Sequence, residues 1–151
     1  MTSAQIFHTY SAAETEGVGR RLSKLLSPGD VVLLIGTLGS GKTVLVRGIA
    51  RGLGIRVPIV SPTFVLRKPY PVRHRRIRAL NHVDAYRLTS PDDLRGLLDE
   101  EFLPDAQEIW CVEWGEKIRT YSLPGRVLRI TIKILGDTRR RLILSGISLP
   151  S

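Results

Sequence analysis

Apolar positions in this chain recur at two spacings, and the change from one to the other divides it into elements. Residues 6–10, "IFHTY", read as a short strand. Ser11, with Glu14 three residues on, forms a capping-box pattern, and Val18, Leu22, Leu25 and Leu26 follow at helical spacing until "SPGD" at 27–30 closes the helix. "VVLLI" at 31–35 is apolar at every position, as a strand covered on both faces must be. After a glycine-rich segment, Val46, Ile49, Ala50 and Leu53 mark one face of a second helix, closed by Gly52 and Gly54.

Further along, "TFVLRKPY" and "IRALNHVDAYRL" predict two strands joined by a basic, Pro-containing connection. "SPDDLRGLLDEEFL" predicts a helix, with Ser90 as N-cap, Pro91 at the first helical position and acids in its first turn. "EIWCVEW" at 108–114 is an apolar strand ending in an acid, where Trp110 alternates with Val112 toward a core. "RVLRITIKIL" and "RRLILSGI" alternate as strands of a hairpin around "GDT". The expected fold is α/β: a single domain over residues 1–151, with a parallel core sheet, antiparallel additions and flanking helices.

Composition narrows the class only a little. A chain of 151 residues, 42% hydrophobic and 25% charged, is long enough for its own core. No apolar run approaches the roughly 20 residues of a membrane span, and residues 1–10 lack a signal peptide's apolar stretch. One cysteine, Cys111, leaves no internal disulfide framework and no cysteine-based zinc site. A cytoplasmic protein without membrane contact is therefore the expectation. The charge is more distinctive. The formal net charge is +9, yet residues 67–78 hold six Lys/Arg and no acid, while residues 92–116 hold nine of the fourteen Asp/Glu. The basic stretch reads either as a solvated hairpin or as a contact to RNA phosphates.

The chemistry concentrates in "GTLGSGKT". Gly36, Thr37, Leu38, Gly39, Ser40, Gly41, Lys42 and Thr43 satisfy G-x-x-x-x-G-K-[ST] in full, between a buried strand and an amphipathic helix. Glycines let successive amides turn inward around phosphate oxygens, and a helix start adds its positive end. Lys42 can reach the β- and γ-phosphates, and the Thr43 hydroxyl is placed for Mg²⁺. Hydrolysis needs another acid and a group that orients water. Asp84 in "NHVDAYR" and Glu113 in "WCVEW" stand at strand ends, and Thr63 sits in the "SPTF" turn. Read without the loop, each is an ordinary strand-end acid or turn residue. His82 reads as a strand-end hydrogen bonder, and "DLRG" at Asp93–Gly96 falls inside a helix, where a GTPase motif would not.

Taken together, Gly36–Thr43, Ser61–Phe64, His82–Arg87 and the Glu113–Glu116 "EWGE" resemble, in order, the motifs of the TsaE (YjeE) family. The resemblance implies a Mg²⁺-dependent ATPase of N6-threonylcarbamoyladenosine formation beside the anticodon of tRNA, acting with TsaB and TsaD. It further implies that Thr43 and Glu113 hold Mg²⁺, that Asp84 serves metal or water, and that Lys42 and Thr63 act at the γ-phosphate. Trp114 falls beside the site, and Tyr10 and "GDTRR" near the base. Thr37 and Ser40 stand where the family commonly has Asp and Ala. A small-molecule kinase on the same loop is the alternative. A GTP-dependent switch lacks an N-K-x-D motif, and a nucleotide-dependent interaction module with negligible turnover shades into the TsaE reading.

Overall fold

The computed structural model describes residues 4–62, 67–86, 106–117, 125–146 and 149. Within them, seven strands form one sheet in the order β1-β7-β6-β2-β5-β4-β3. The strands are β1 (Gln5–Thr9), β2 (Val31–Ile35), β3 (Arg67–Pro71), β4 (Ala79–Asp84), β5 (Glu108–Glu113), β6 (Val127–Ile134) and β7 (Arg140–Ser145). β6, β2, β5 and β4 are mutually parallel, and β3, β7 and β1 join by antiparallel pairing, as the sequence predicts. The helix expected from Ser90 and the Thr63 turn lie outside the described residues.

β2 is the middle strand, which is why "VVLLI" carries no polar residue. Val32 and Leu34 face the main core with the two helices, whereas Val31 and Leu33 pack on the other face with Val83, Ala85, Trp110 and Val112. Trp110 and Cys111 are buried in these two layers, as their alternation predicts. Two prolines, Pro69 and Pro71, sit in β3 at the end of the sheet.

Helices α1 (Ala12–Ser23) and α2 (Lys42–Gly52) lie together on one face. At the start of α1 the Ser11 hydroxyl accepts from the Glu14 amide at 3.1 Å. The Glu14 carboxylate answers on the Tyr10 amide, one residue earlier than a standard capping box, at 2.6 Å. The helix stops at Ser23, and Leu25 and Leu26 complete the apolar pattern in the turn beyond it. Glycines set how closely the helices approach. A Cβ on Gly48 would meet the Glu16 carbonyl oxygen at 2.1 Å, and one on Gly19 the Leu45 carbonyl oxygen at 2.5 Å. The close packing fixes the start of α2, and with it Lys42 and Thr43, against α1.

Parallel strands place their carboxyl ends on one edge, so the loops after β2, β4 and β5 converge there. The basic connection at 72–78 joins the end of β3 to the start of β4 and therefore lies at the opposite edge.

Candidate functional site

β2 ends at Ile35, and the chain turns through Gly36 into the glycine loop. A Cβ at Gly36 would meet the Ser40 hydroxyl at 2.5 Å and the Ile132 carbonyl oxygen at 2.8 Å, so only glycine fits. Gly39 (φ 78°) and Gly41 (φ 110°) take left-handed conformations that curl the loop back over the start of α2. Gly41 is the N-cap of α2, with no side chain capping the free amides and no acid in the first turn. These amides and the helix dipole remain available to an anion.

Lys42 is buried beneath the loop. Its ammonium donates to the Gly36 carbonyl at 2.5 Å and the Thr37 carbonyl at 3.1 Å, and sits 4.0 Å from the centre of the Trp114 ring. Burial lowers its pKa from the usual lysine value, while Glu113, Glu116 and Asp84 act in the opposite sense. Trp114 has φ 60°, an unusual conformation for a bulky residue, and its ring packs on Tyr86 with centroids 5.0 Å apart. Lys117 ties this corner down by donating to the Tyr86 carbonyl at 2.5 Å.

The two strand-end acids come together. Asp84 and Glu113 are register neighbours on β4 and β5, and both are largely buried. The Thr43 hydroxyl lies 3.0 Å from each oxygen of Glu113. Asp84 accepts from the Ser61 hydroxyl at 3.0 Å and from the Tyr86 amide at 2.9 Å. The fully buried His82 imidazole contacts Glu113 through Nε2. Thr43, Glu113 and Asp84 thus offer hard oxygen donors beside the glycine loop, a set that suits Mg²⁺. Among the described residues no group of three or more His, Cys, Asp or Glu could hold a metal unaided. That donor set fits a cation whose remaining ligands are phosphate oxygens and water.

On the other flank of the loop is a cleft of about 200 Å³. Ser11, Ala12 and Thr15 form one wall, Gly39, Ser40, Gly41 and Val44 the floor, and Asp137, Thr138 and Arg140 the far wall. Tyr10 does not line it; its exposed ring stands beside it, 5.6 Å from the Arg139 guanidinium carbon. Arg140 joins the loop to the β6–β7 turn, donating to the Ser40 carbonyl at 2.9 Å, the Gly39 carbonyl at 3.3 Å and the Gly136 carbonyl at 2.8 Å.

Of the residues singled out in the sequence, Gly36–Thr43, Asp84 and Glu113 share this edge, and Thr63 lies outside the described residues. His82 reads in the sequence as a hydrogen bonder and "GDTRR" falls near the base by resemblance, but sequence reasoning did not find their partners, Glu113 for His82 and the loop carbonyls for Arg140. No local signal announces either, because the partners are 100 and 31 residues apart.

A parallel-core sheet with a glycine loop opening a helix at its carboxyl edge defines the class: a P-loop-type α/β protein. Residues 9–142 match the model of the threonylcarbamoyl adenosine biosynthesis protein TsaE. The chain belongs to the TsaE family. The Streptomyces coelicolor tRNA threonylcarbamoyladenosine biosynthesis protein TsaE is 44% identical over 80% of both chains. Its Bacillus subtilis counterpart is 36% identical over 93% of this chain and 85% of its own. The crystal structure of Bacillus subtilis YdiB superposes with a TM-score of 0.74 at 32% identity, covering 98% of this chain and 88% of that one. Among the described residues no helix is long and apolar enough to cross a membrane.

Proposed function

We propose that this chain binds ATP with Mg²⁺ and hydrolyses it slowly, as the ATPase component of tRNA N6-threonylcarbamoyladenosine synthesis, acting with TsaB and TsaD. The observation that carries the reading is the Thr43–Glu113 pair at the mouth of the glycine loop. It joins the one hydroxyl the loop motif reserves for a cation to a carboxylate from another strand.

In this mechanism the loop amides and the start of α2 hold the phosphate chain, and the nucleoside takes the cleft beneath Arg140. Lys42 exchanges the Gly36 and Thr37 carbonyls for phosphate oxygens, a change its long side chain makes without moving the backbone. Thr43 and Glu113 hold Mg²⁺, which when bound neutralises charge on the phosphates. Asp84 acts beside it on metal or water, with its two oxygens set by Ser61 and Tyr86. Thr63, two residues beyond Ser61, acts near the γ-phosphate.

Arg140, which is bonded to the loop, is engaged with carbonyl groups. With Arg140 so committed, turnover by the chain alone is expected to be slow and to rise when a partner adds stabilisation, an arginine finger being worth roughly 10³–10⁵ in rate. The test is steady-state phosphate release by parent and Glu113→Gln, alone and with TsaB and TsaD. The expected result is slow parent turnover, faster with partners, and a variant that loses hydrolysis more than binding. Fast release by the lone parent, indifferent to partners, overturns the component reading. Phosphoryl transfer to a metabolite in place of release makes the protein a kinase.

A further inference from the structure

β4 delivers two side chains to Glu113. In the parallel β4–β5 register Asp84 stands beside Glu113 and His82 beside Cys111, so residues 82, 84 and 113 share one face. Asp84 is already engaged by Ser61 and Tyr86. His82 is not so engaged. Its ring is 0% exposed, Nε2 contacts Glu113 Oε2, and Nδ1 has no partner among the described residues. A proton on Nδ1 would be a buried donor without an acceptor, which is costly. The proton therefore sits on Nε2 and is donated to Oε2. The Thr43 hydroxyl lies 3.0 Å from both carboxylate oxygens, and His82 adds a donor from inside the core to Oε2 alone, so Oε1 is the oxygen without the imidazole partner.

We propose that His82 is a positioning residue that sets the cation preference of the nucleotide site, restricting Glu113 to one ligating oxygen and so favouring Mg²⁺ over Ca²⁺. The proposal rests on the reading of Thr43 and Glu113 as cation ligands. Mg²⁺ requires near-octahedral geometry at about 2.0–2.1 Å and accepts single carboxylate oxygens; Ca²⁺ takes about 6–8 oxygens and accommodates bidentate carboxylates. A donor fixed on Oε2 takes up one of its lone pairs and makes it the poorer of the two oxygens for a metal, which disfavours bidentate ligation. It also fixes the rotamer of Glu113, as hydrogen-bonding partners of metal ligands do.

The experiment measures affinity for a non-hydrolysable ATP analogue by calorimetry while Mg²⁺ or Ca²⁺ is titrated. It compares the parent, His82→Gln, His82→Leu and His82→Asn, each checked for fold by circular dichroism. The Gln amide can place an N–H near the Nε2 position; Leu has no donor, and the shorter Asn amide does not reach Oε2. In the Leu and Asn variants the Mg²⁺ concentration needed should rise about 10–100-fold, and the Mg²⁺/Ca²⁺ preference should fall at least about tenfold. His82→Gln should stay close to the parent. A folded Leu or Asn variant with the parental ratio overturns the role of His82 and leaves the cation site standing. If neither cation strengthens nucleotide binding by the parent, the cation-site reading and this proposal fall together.

Discussion

Gly48→Ala tests whether the α1–α2 contact is as close as described. In an exposed helix, alanine for glycine is stabilising by about 0.8–1.0 kcal/mol. Here the new Cβ would lie 2.1 Å from the Glu16 carbonyl oxygen, 2.9 Å from its carbonyl carbon and 3.0 Å from Gly19 Cα. A carbon meets a carbonyl oxygen comfortably at about 3.3–3.6 Å, so α1 must retreat by roughly 1 Å. Such a gap forfeits a quarter to a half of each dispersion contact across the interface, where Val18 and Leu22 join the same core as Leu45 and Ile49. Overpacking costs about 1–3 kcal/mol, and the obstacle here is backbone on a rigid helix, so the loss exceeds the propensity gain. With the cost at the top of that range, about 3 kcal/mol, less the propensity gain of about 1 kcal/mol, the net effect should be about 2 kcal/mol of destabilisation, or roughly 4–8 °C in Tm for a chain of this size. Gly17→Ala is the internal control, because nothing lies within 4 Å of its Cβ. It should raise Tm by about 2–4 °C. Thermal unfolding followed by circular dichroism reads both. A Gly48→Ala protein as stable as the parent would refute the packing argument.

Lys42→Met should weaken ATP binding and abolish phosphate release, measured by calorimetry and a phosphate assay. Burial lowers the Lys42 pKa, so between that lowered value and 10.5 the unfolded chain binds more protons and stability rises with pH. Lys42→Met removes this term, and its unfolding free energy should converge on the parent's as pH climbs toward 10.5. Replacing Arg73, Arg75 and Arg76 by Gln should leave ATP affinity unchanged, since they lie at the edge of the sheet away from the loop; Arg78 is excluded because it pairs with Glu108 at 3.0 Å. If the stretch contacts tRNA, the complex will bind tRNA more weakly, with a shallower salt dependence in filter binding. Cys111, its thiol pKa pushed up by burial and by Glu113, should resist a thiol reagent until denaturant is added.

The elements legible in the sequence are those whose signal is local. "VVLLI" announces a strand covered on both faces, and the loop motif with its flanking strand and helix fixes where the glycine loop and its free amides stand. The β6–β7 hairpin is visible in its alternation. What the sequence does not disclose depends on register between distant segments. That His82 reaches Glu113 follows from the alignment of β4 on β5, and a shift of one residue would turn it to the other face. Arg140 belongs to the "GDTRR" segment that the resemblance puts near the base, but only closure of the β6–β7 turn over the loop gives it carbonyls to hold. Nothing in the local sequence marks Gly19 and Gly48 as the positions that let two helix backbones touch. α1 ends three residues before its apolar pattern does, because Leu25 and Leu26 pack from the turn as well as they would from the helix.

The prolines of β3 have a consequence for how this protein behaves in a crowded solution. An end strand is a template on which another chain can lay its own backbone. Proline is compatible with the β3–β4 ladder only where its missing amide points away from β4, so Pro69 and Pro71 strip donors from the outer rim. Lys68 stands exposed between Arg67 and Pro69, adding a charge that a stacking neighbour would have to bury. Among the described residues the sheet ends at β3, whose outer rim offers few donors for another strand to pair with. The same five residues that finish the fold thus guard it against runaway self-assembly.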